Sequence, residues 1–254
     1  MNLPVALESS LLRAAHFPHG FATRALDFHA AAPGRATNLE VLALLLRFDP
    51  TRLYQVSQVH GGVALPALGD REALSRCEAD ALVSTAPGDA VAVRVADCVP
   101  ILLADPESGG VAAAHAGWRG VVAGILGSSF RVAAERGVTP RLAAIGPCIG
   151  PCCFEVSHEI AAEIADAVGE PGVVARRTDA KSYVDLRLAV RAQLRGAGLD
   201  DAHIDDVPGC TRCDAERFFS HRRDGQVAGR HLAVIVATSS SPSATSAAAG
   251  SPRG

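Results

Sequence analysis

Residues 39–48 (LEVLALLLRF) space their apolar side chains at a helical period. Ala, Leu, Arg and Glu dominate three later stretches, at about 120–136, 157–168 and 185–197, which are predicted to be helices as well. Between the first helix and the second the pattern changes. Ala90–Val95, Val99–Ala104 and Val111–Ala114 are short β-rich runs broken by turn residues, and a last apolar strand is expected at His231–Ala237. The turns joining the middle runs are too short for crossover helices, so part of the sheet must be antiparallel. The expected class is therefore α/β or α+β, and a purely doubly wound fold is disfavoured.

No Pro/Gly/Ser-rich linker interrupts this pattern before residue 238, and no repeat of fixed period occurs, which predicts one domain over 1–238. From Ser239 to Gly254 the chain is Ser, Ala, Pro, Gly and Thr with one Arg, too poor in apolar surface to offset its ordering entropy. A disordered tail, 239–254, is expected there. The long apolar stretches are cut by charge at Arg47, Arg94 and Asp97, and the first residues lack a basic stretch followed by an apolar core. These features predict a soluble, cytoplasmic protein with no membrane partner.

Composition narrows the function by exclusion. A formal net charge of −3 over 254 residues gives no general pull toward a phosphate backbone, and no basic groove is evident, so no nucleic-acid partner is expected. Neither G-x-x-x-x-G-K-[ST] nor a G-x-G-x-x-G between strand and helix is present, which removes support for Walker-type ATP and Rossmann NAD chemistry. The seven cysteines, an odd number in a chain of this size, are expected to be free, buried or metal-bound in a reducing compartment.

Three segments end apolar runs on a possible metal ligand beside Gly or Asp: QVHGG (58–62), RVADCVP (94–100) and AAAHAGWRG (112–120). If Val99–Ala104 and Val111–Ala114 form a hairpin around DPESGG, Cys98 falls opposite residue 115, 116 or 117. His115 then lies opposite Cys98 or within two positions of it, roughly 5–8 Å between Cα atoms, a spacing that suits two ligands of one metal. His60 must arrive from a distant strand end. One thiolate and two imidazoles could bind zinc with an open fourth position, the catalytic type, or copper, which the same donors suit. A Cys98–His115 nucleophile pair is the other functional reading, and ordinary core residues the plain one.

Other residues carry weaker signals. Arg119, with Trp118 beside it and His115 four positions before, could stack a planar base and hold an anion, although Trp118 also suits a core plug. Phe218-Phe-Ser-His221-Arg222-Arg223-Asp224 could form an anion site, but a solvated loop with its Phe pair anchored in the core is preferred. Cys148, Cys152 and Cys153 with Cys210 and Cys213 could form a second zinc site. Since Cys153 and Cys210 lie 57 positions apart, a Gly/Pro loop with incidental thiols is the preferred reading. Asp80 and Asp97 are the carboxylates nearest this centre in sequence, and Asp97 is expected to be structural rather than a direct base.

These blocks together resemble the YfiH-like family, also labelled polyphenol oxidase or laccase-domain proteins, purine nucleoside phosphorylases and peptidoglycan editing factors. The resemblance covers about 17–237. It is carried by HGFATR (19–24), QVHG (58–61), EADALVS (78–84), ADCVPILLAD (96–105), AAHAGWRG (113–120), IGPCIGPCCFEV (145–156), YVDL (183–186), CTRC (210–213) and FFSHRRDGQVAGR (218–230). It implies a layered αββα sandwich with mixed, partly antiparallel sheets, and a catalytic zinc on His60, Cys98 and His115. It also implies phosphorolysis of adenosine, inosine and methylthioadenosine, with adenosine deaminase activity. Arg119 and Arg222 become the expected phosphate contacts, with Trp118 beside the base. A copper-dependent polyphenol oxidase and a Cys98–His115 hydrolase editing peptidoglycan precursors are the alternatives. One difference from the family is the compressed stretch from Ala25-Leu-Asp-Phe to Thr37-Asn38-Leu39.

Overall fold

A computed structural model describes residues 4–240, so the tail expected at 239–254 lies, after its first two residues, outside the described residues. Two sheets pack face to face. The outer sheet runs Ala6–Leu7, His19–Ala22, His231–Val236, Ala90–Val95, Leu53–Tyr54, and the central sheet Ile204–Asp206, Leu142–Ile145, Val99–Ala104, Val111–Ala116, Ala81–Ser84, Ala64–Pro66. A small three-stranded sheet combines Glu155–Val156, Ser182–Val184 and Val174–Arg177. Both large sheets mix parallel and antiparallel pairs, and the fold is an α+β sandwich.

The period of two in each strand sorts its side chains between layers. Val91 and Val93 of the outer sheet meet Leu102, Ala104 and Ala113 of the central sheet in one buried cluster. Their neighbours Ala90 and Ala92 turn the other way, onto Leu42, Ala43 and Leu46 of the helix Arg35–Leu46. On the far side, Ile101, Leu103, Ala112 and Ala114 pack against helices Ile125–Glu135, His158–Val168 and Leu186–Gly196. Helix, sheet, sheet and helix thus follow in order. Because every face is covered, the strands read as continuous apolar runs without alternation.

The helix ends follow local chemistry. Ser157 caps Ile160 N–H and Asp185 caps Arg187 and Leu188 N–H, the usual use of short polar side chains at helix starts. The stretch expected as one helix over 120–136 is instead two, Trp118–Val122 and Ile125–Glu135, because Gly124 between them takes a left-handed φ of +73°. A second departure concerns the strands. Ala90–Val95 and Val99–Ala104 are consecutive in sequence yet lie in different sheets, so the chain crosses between layers at Ala96–Cys98. Asp97 makes the crossing at φ +87°, in the left-handed region. Among the described residues, no helix is long and apolar enough to cross a membrane.

Candidate metal centre and its cavity

The crossing point carries the chemistry. In the hairpin, Val99 pairs with Ala116 and Pro100 with His115, which places Cys98 opposite Gly117, at one end of the expected range of registers. The Cys98 thiol and one ring nitrogen each of His60 and His115 lie within 4.8 Å of one another. The two imidazoles meet edge to face, 4.7 Å between centroids. His115 is buried, Cys98 half-buried and His60 exposed. The glycines of the two motifs allow this approach: a Cβ on Gly117 would stand 3.0 Å from the Cys98 sulfur and 3.1 Å from the His60 ring, and one on Gly62 would collide with the Ala123 carbonyl.

Asp80 organises the centre from behind. Fully buried, it accepts a hydrogen bond from His115 Nδ1 at 2.7 Å and from the backbone N–H groups of His60, at 3.0 Å, and Gly61, at 2.6 Å. One carboxylate therefore orients the His115 ring, leaving its Nε2 for the cavity, and holds the backbone of His60. The arrangement is the carboxylate–histidine pairing that fixes tautomer and ring orientation in metal sites. Its contacts also hold His60 at φ +62°, a conformation that costs a non-glycine residue on the order of 1–3 kcal/mol. Asp80 stood near the centre in sequence, but its role is visible only in three dimensions.

Electrostatics follow from this packing. Burial works to raise the Cys98 thiol, but the His115 and His60 imidazoles outweigh it and bring it down to about 6. Burial likewise works to lower His115, but Cys98 and Asp80 outweigh it and raise the imidazole to about 9. The thiolate is the form that ligates metals. A soft sulfur and two borderline nitrogens in tight convergence fit zinc or copper by donor chemistry, and the three leave a coordination position free.

The centre lies in the wall of a cavity of about 630 Å³. Trp118, Arg119 and Arg222 also line it, so the six residues expected to bind metal or substrate face one space. Sequence reasoning missed Arg94, Arg230, Gln58 and His29, which line it as well. In the sequence Arg94 stands out only as a charge cutting an apolar stretch, and that interruption of AVAVRV was the signal for its place in the cavity wall. His29 comes from the compressed segment after HGFATR, which therefore does reach the cavity. None of Arg94, Arg119, Arg222 and Arg230 is paired with a carboxylate among the described residues. Arg119 lies over the Trp118 ring at 4.7 Å and Arg222 over Phe154 at 5.5 Å. Asp97, the carboxylate that lines the cavity, is occupied: Oδ1 accepts from Thr211 Oγ1 and Oδ2 from Arg222 N–H at 2.6 Å. That is the structural part expected of it. The Phe pair expected in the core divides, with Phe218 fully buried and Phe219 half-buried, while the next residues form a short helix, His221–Asp224, rather than a loop.

Residues 31–238 match the family described as multi-copper polyphenol oxidoreductase laccase. The chain belongs to this family. Among curated relatives of this laccase family member, a purine nucleoside phosphorylase of Deinococcus radiodurans is 37% identical over 243 residues, covering 89% of this chain and 92% of the relative. A protein named adenosine deaminase RL5, from an unknown prokaryotic organism, is 41% identical over 160 residues, 61% of each chain. The solved structure of YlmD from Geobacillus stearothermophilus matches with a TM-score of 0.77 at 30% identity, covering 86% of this chain and 91% of that one.

Proposed function

We propose that this chain is a zinc-dependent purine nucleoside phosphorylase acting on adenosine, inosine and methylthioadenosine, with adenosine deaminase activity beside it. The observation that carries the reading is the pairing of a three-donor metal centre with guanidinium groups free of carboxylates around one cavity. A relative named purine nucleoside phosphorylase, aligned over nearly its whole length, supports it. The relative named adenosine deaminase supports the second activity.

Phosphorolysis breaks the bond between C1′ of the sugar and the purine nitrogen and forms one from C1′ to a phosphate oxygen. The incoming dianion must be taken from water; the reading is supported by Arg119 and Arg222 lining the cavity as its candidate receivers, with Arg94 and Arg230 adding positive field. Trp118, Phe154 and Ile149 offer the flat apolar wall that a base requires. His60, Cys98 and His115 would hold zinc, which when bound supplies a Lewis acid to the cavity. Asp80 holds His115 through Nδ1, which leaves Nε2 as the nitrogen that would ligate the ion. Copper suits the same donors, but oxygen reduction to water generally draws on several coppers, and these three residues supply one site.

The test is chromatography of adenosine incubated with zinc-assayed protein, with and without phosphate. Adenine that requires phosphate and disappears on chelation is expected, with inosine formed independently of phosphate as the deaminase product. Zinc-loaded protein that leaves adenosine and inosine intact would overturn the reading. Turnover of peptidoglycan precursors that zinc suppresses would move the assignment to a Cys98–His115 hydrolase.

A further inference from the structure

The remaining cysteines form a second group of donors. Cys152 and Cys153, in a turn after Gly150-Pro151, face Cys210 and Cys213, in a turn of the same size across a gap of 57 positions in sequence. Their four sulfurs all lie within 4.8 Å of one another. Individual separations are 3.6 Å for Cys152–Cys210, 3.6 Å for Cys152–Cys213 and 3.2 Å for Cys153–Cys213. The two cysteine pairs, read from sequence as incidental thiols of Gly/Pro loops, therefore meet in the fold. Backbone pairing brings the loops together: Cys148 and Cys210 form a parallel bridge, with Thr211 N–H donating to Cys148 carbonyl oxygen at 3.0 Å. Cys148 itself stays outside the group, buried, with the Arg187 guanidinium at 3.6 Å from its sulfur.

These separations suit four sulfurs around one ion and are too long for a disulfide. Zn–S bonds of about 2.3 Å at tetrahedral angles put sulfurs about 3.8 Å apart, whereas a disulfide needs about 2.05 Å. The surroundings suit a cluster of thiolates. Gly150 N–H donates to the Cys210 sulfur at 3.2 Å, and the Arg212 guanidinium reaches the Cys153 sulfur at 3.6 Å. A Cβ on Gly150 would stand 3.3 Å from the Cys152 sulfur, so glycine leaves the sulfurs their space. Cys152 and Cys213 are exposed, which gives an ion a path from solvent.

We propose that Cys152, Cys153, Cys210 and Cys213 bind a second zinc ion in a closed, structural tetrathiolate site. Four thiolates complete a tetrahedral shell and leave no position for substrate, in contrast to His60, Cys98 and His115. The ion clips together two walls of the cavity. One loop carries Ile149 and Phe154; the other carries Thr211, which holds Asp97 and through it the Arg222 backbone.

The test uses the full chain, purified with reductant and without chelator, and counts zinc by elemental analysis. The double variant Cys98→Ala, His115→Ala is expected to retain one zinc per chain. Adding Cys152→Ser and Cys210→Ser is expected to remove it. Cobalt reconstitution of the first double variant is expected to give the intense visible bands and near-ultraviolet charge transfer of a tetrahedral tetrathiolate. That measurement leaves the four cysteines intact, so it decides the matter if the serine variants do not fold. A zinc-free double variant without those cobalt bands would overturn the site. So would iron in place of zinc, or intact-mass loss of 2 Da per pair from disulfides. None of these readouts depends on nucleoside turnover.

Discussion

The two donor groups of this molecule are built for opposite ends. His60, Cys98 and His115 converge where a strand crosses from one sheet to the other, against a buried carboxylate and beside a cavity. The four cysteines converge between two turns, with N–H groups rather than a carboxylate behind them and no part in the cavity wall. Three donors, His115 on a strand with Cys98 and His60 in bends beside it, would leave a metal open to chemistry, whereas four donors on loops would fill its coordination and tie the loops together. The difference lies in donor count and support, both readable from geometry.

The largest expected effect breaks the comparison at Cys98. Cys98→Ala removes the one anionic donor of its centre, and phosphorolysis and deamination should both fall by more than the roughly 100-fold that loss of an outer partner costs. Circular dichroism should remain unchanged, because the surrounding strands keep their ladders. Cys210→Ser should instead leave the zinc on His60, Cys98 and His115 in place, as measured by zinc content. Activity surviving in Cys98→Ala would show that the thiol does not serve the reaction.

Next comes Asp80. Asp80→Asn retains an acceptor for His115 Nδ1, but turns an amide N–H₂ toward the N–H of Gly61 and removes the charge that favours an oriented imidazole. Zinc affinity, followed by chelator competition, or activity should drop about 10–100-fold. Wild-type affinity and activity together would reduce Asp80 to a packing residue.

How much of this was legible in the sequence depends on range. Cys98 and His115 could be placed together because a short hairpin fixes their register. His60 could not, since what brings it in is Asp80 accepting from its N–H across 20 positions and the parallel pairing of Ala64–Pro66 with Ala81–Ser84. The same limit hid the cysteine group, whose turns are joined by the Cys148–Cys210 bridge. Nor could the runs Ala90–Val95 and Val99–Ala104 be assigned to different sheets, because strands covered on both faces lose the alternation that reveals orientation. Helices 157–168 and 185–197 were clear because Ala, Leu, Arg and Glu dominate them, a local signal, and in the structure Ser157 and Asp185 cap their starts.

The smallest effect sharpens the contrast through a histidine outside both donor groups. His115 has Asp80 and is raised to about 9, whereas His231, buried under Phe218 and Phe219, has no carboxylate partner and burial pushes it down to about 4. Its Nε2 accepts from Phe219 N–H at 2.8 Å, a bond that needs the neutral ring. In the unfolded chain His231 titrates near its ordinary 6.5. Between those values the unfolded state binds the proton and the folded state does not, so stability rises with pH and is lost as pH falls from about 6.5 toward 4. At about 1.4 kcal/mol per pH unit, His231 alone should cost about 1 kcal/mol between pH 7 and pH 5.5. Urea denaturation at the two pH values should show His231→Leu less stable throughout, from the lost bond to Phe219, but with the pH-dependent loss smaller by that amount. An unchanged difference between the two pH values would mean that His231 takes up its proton in the folded state, and that burial beneath the two phenylalanines does not keep it neutral.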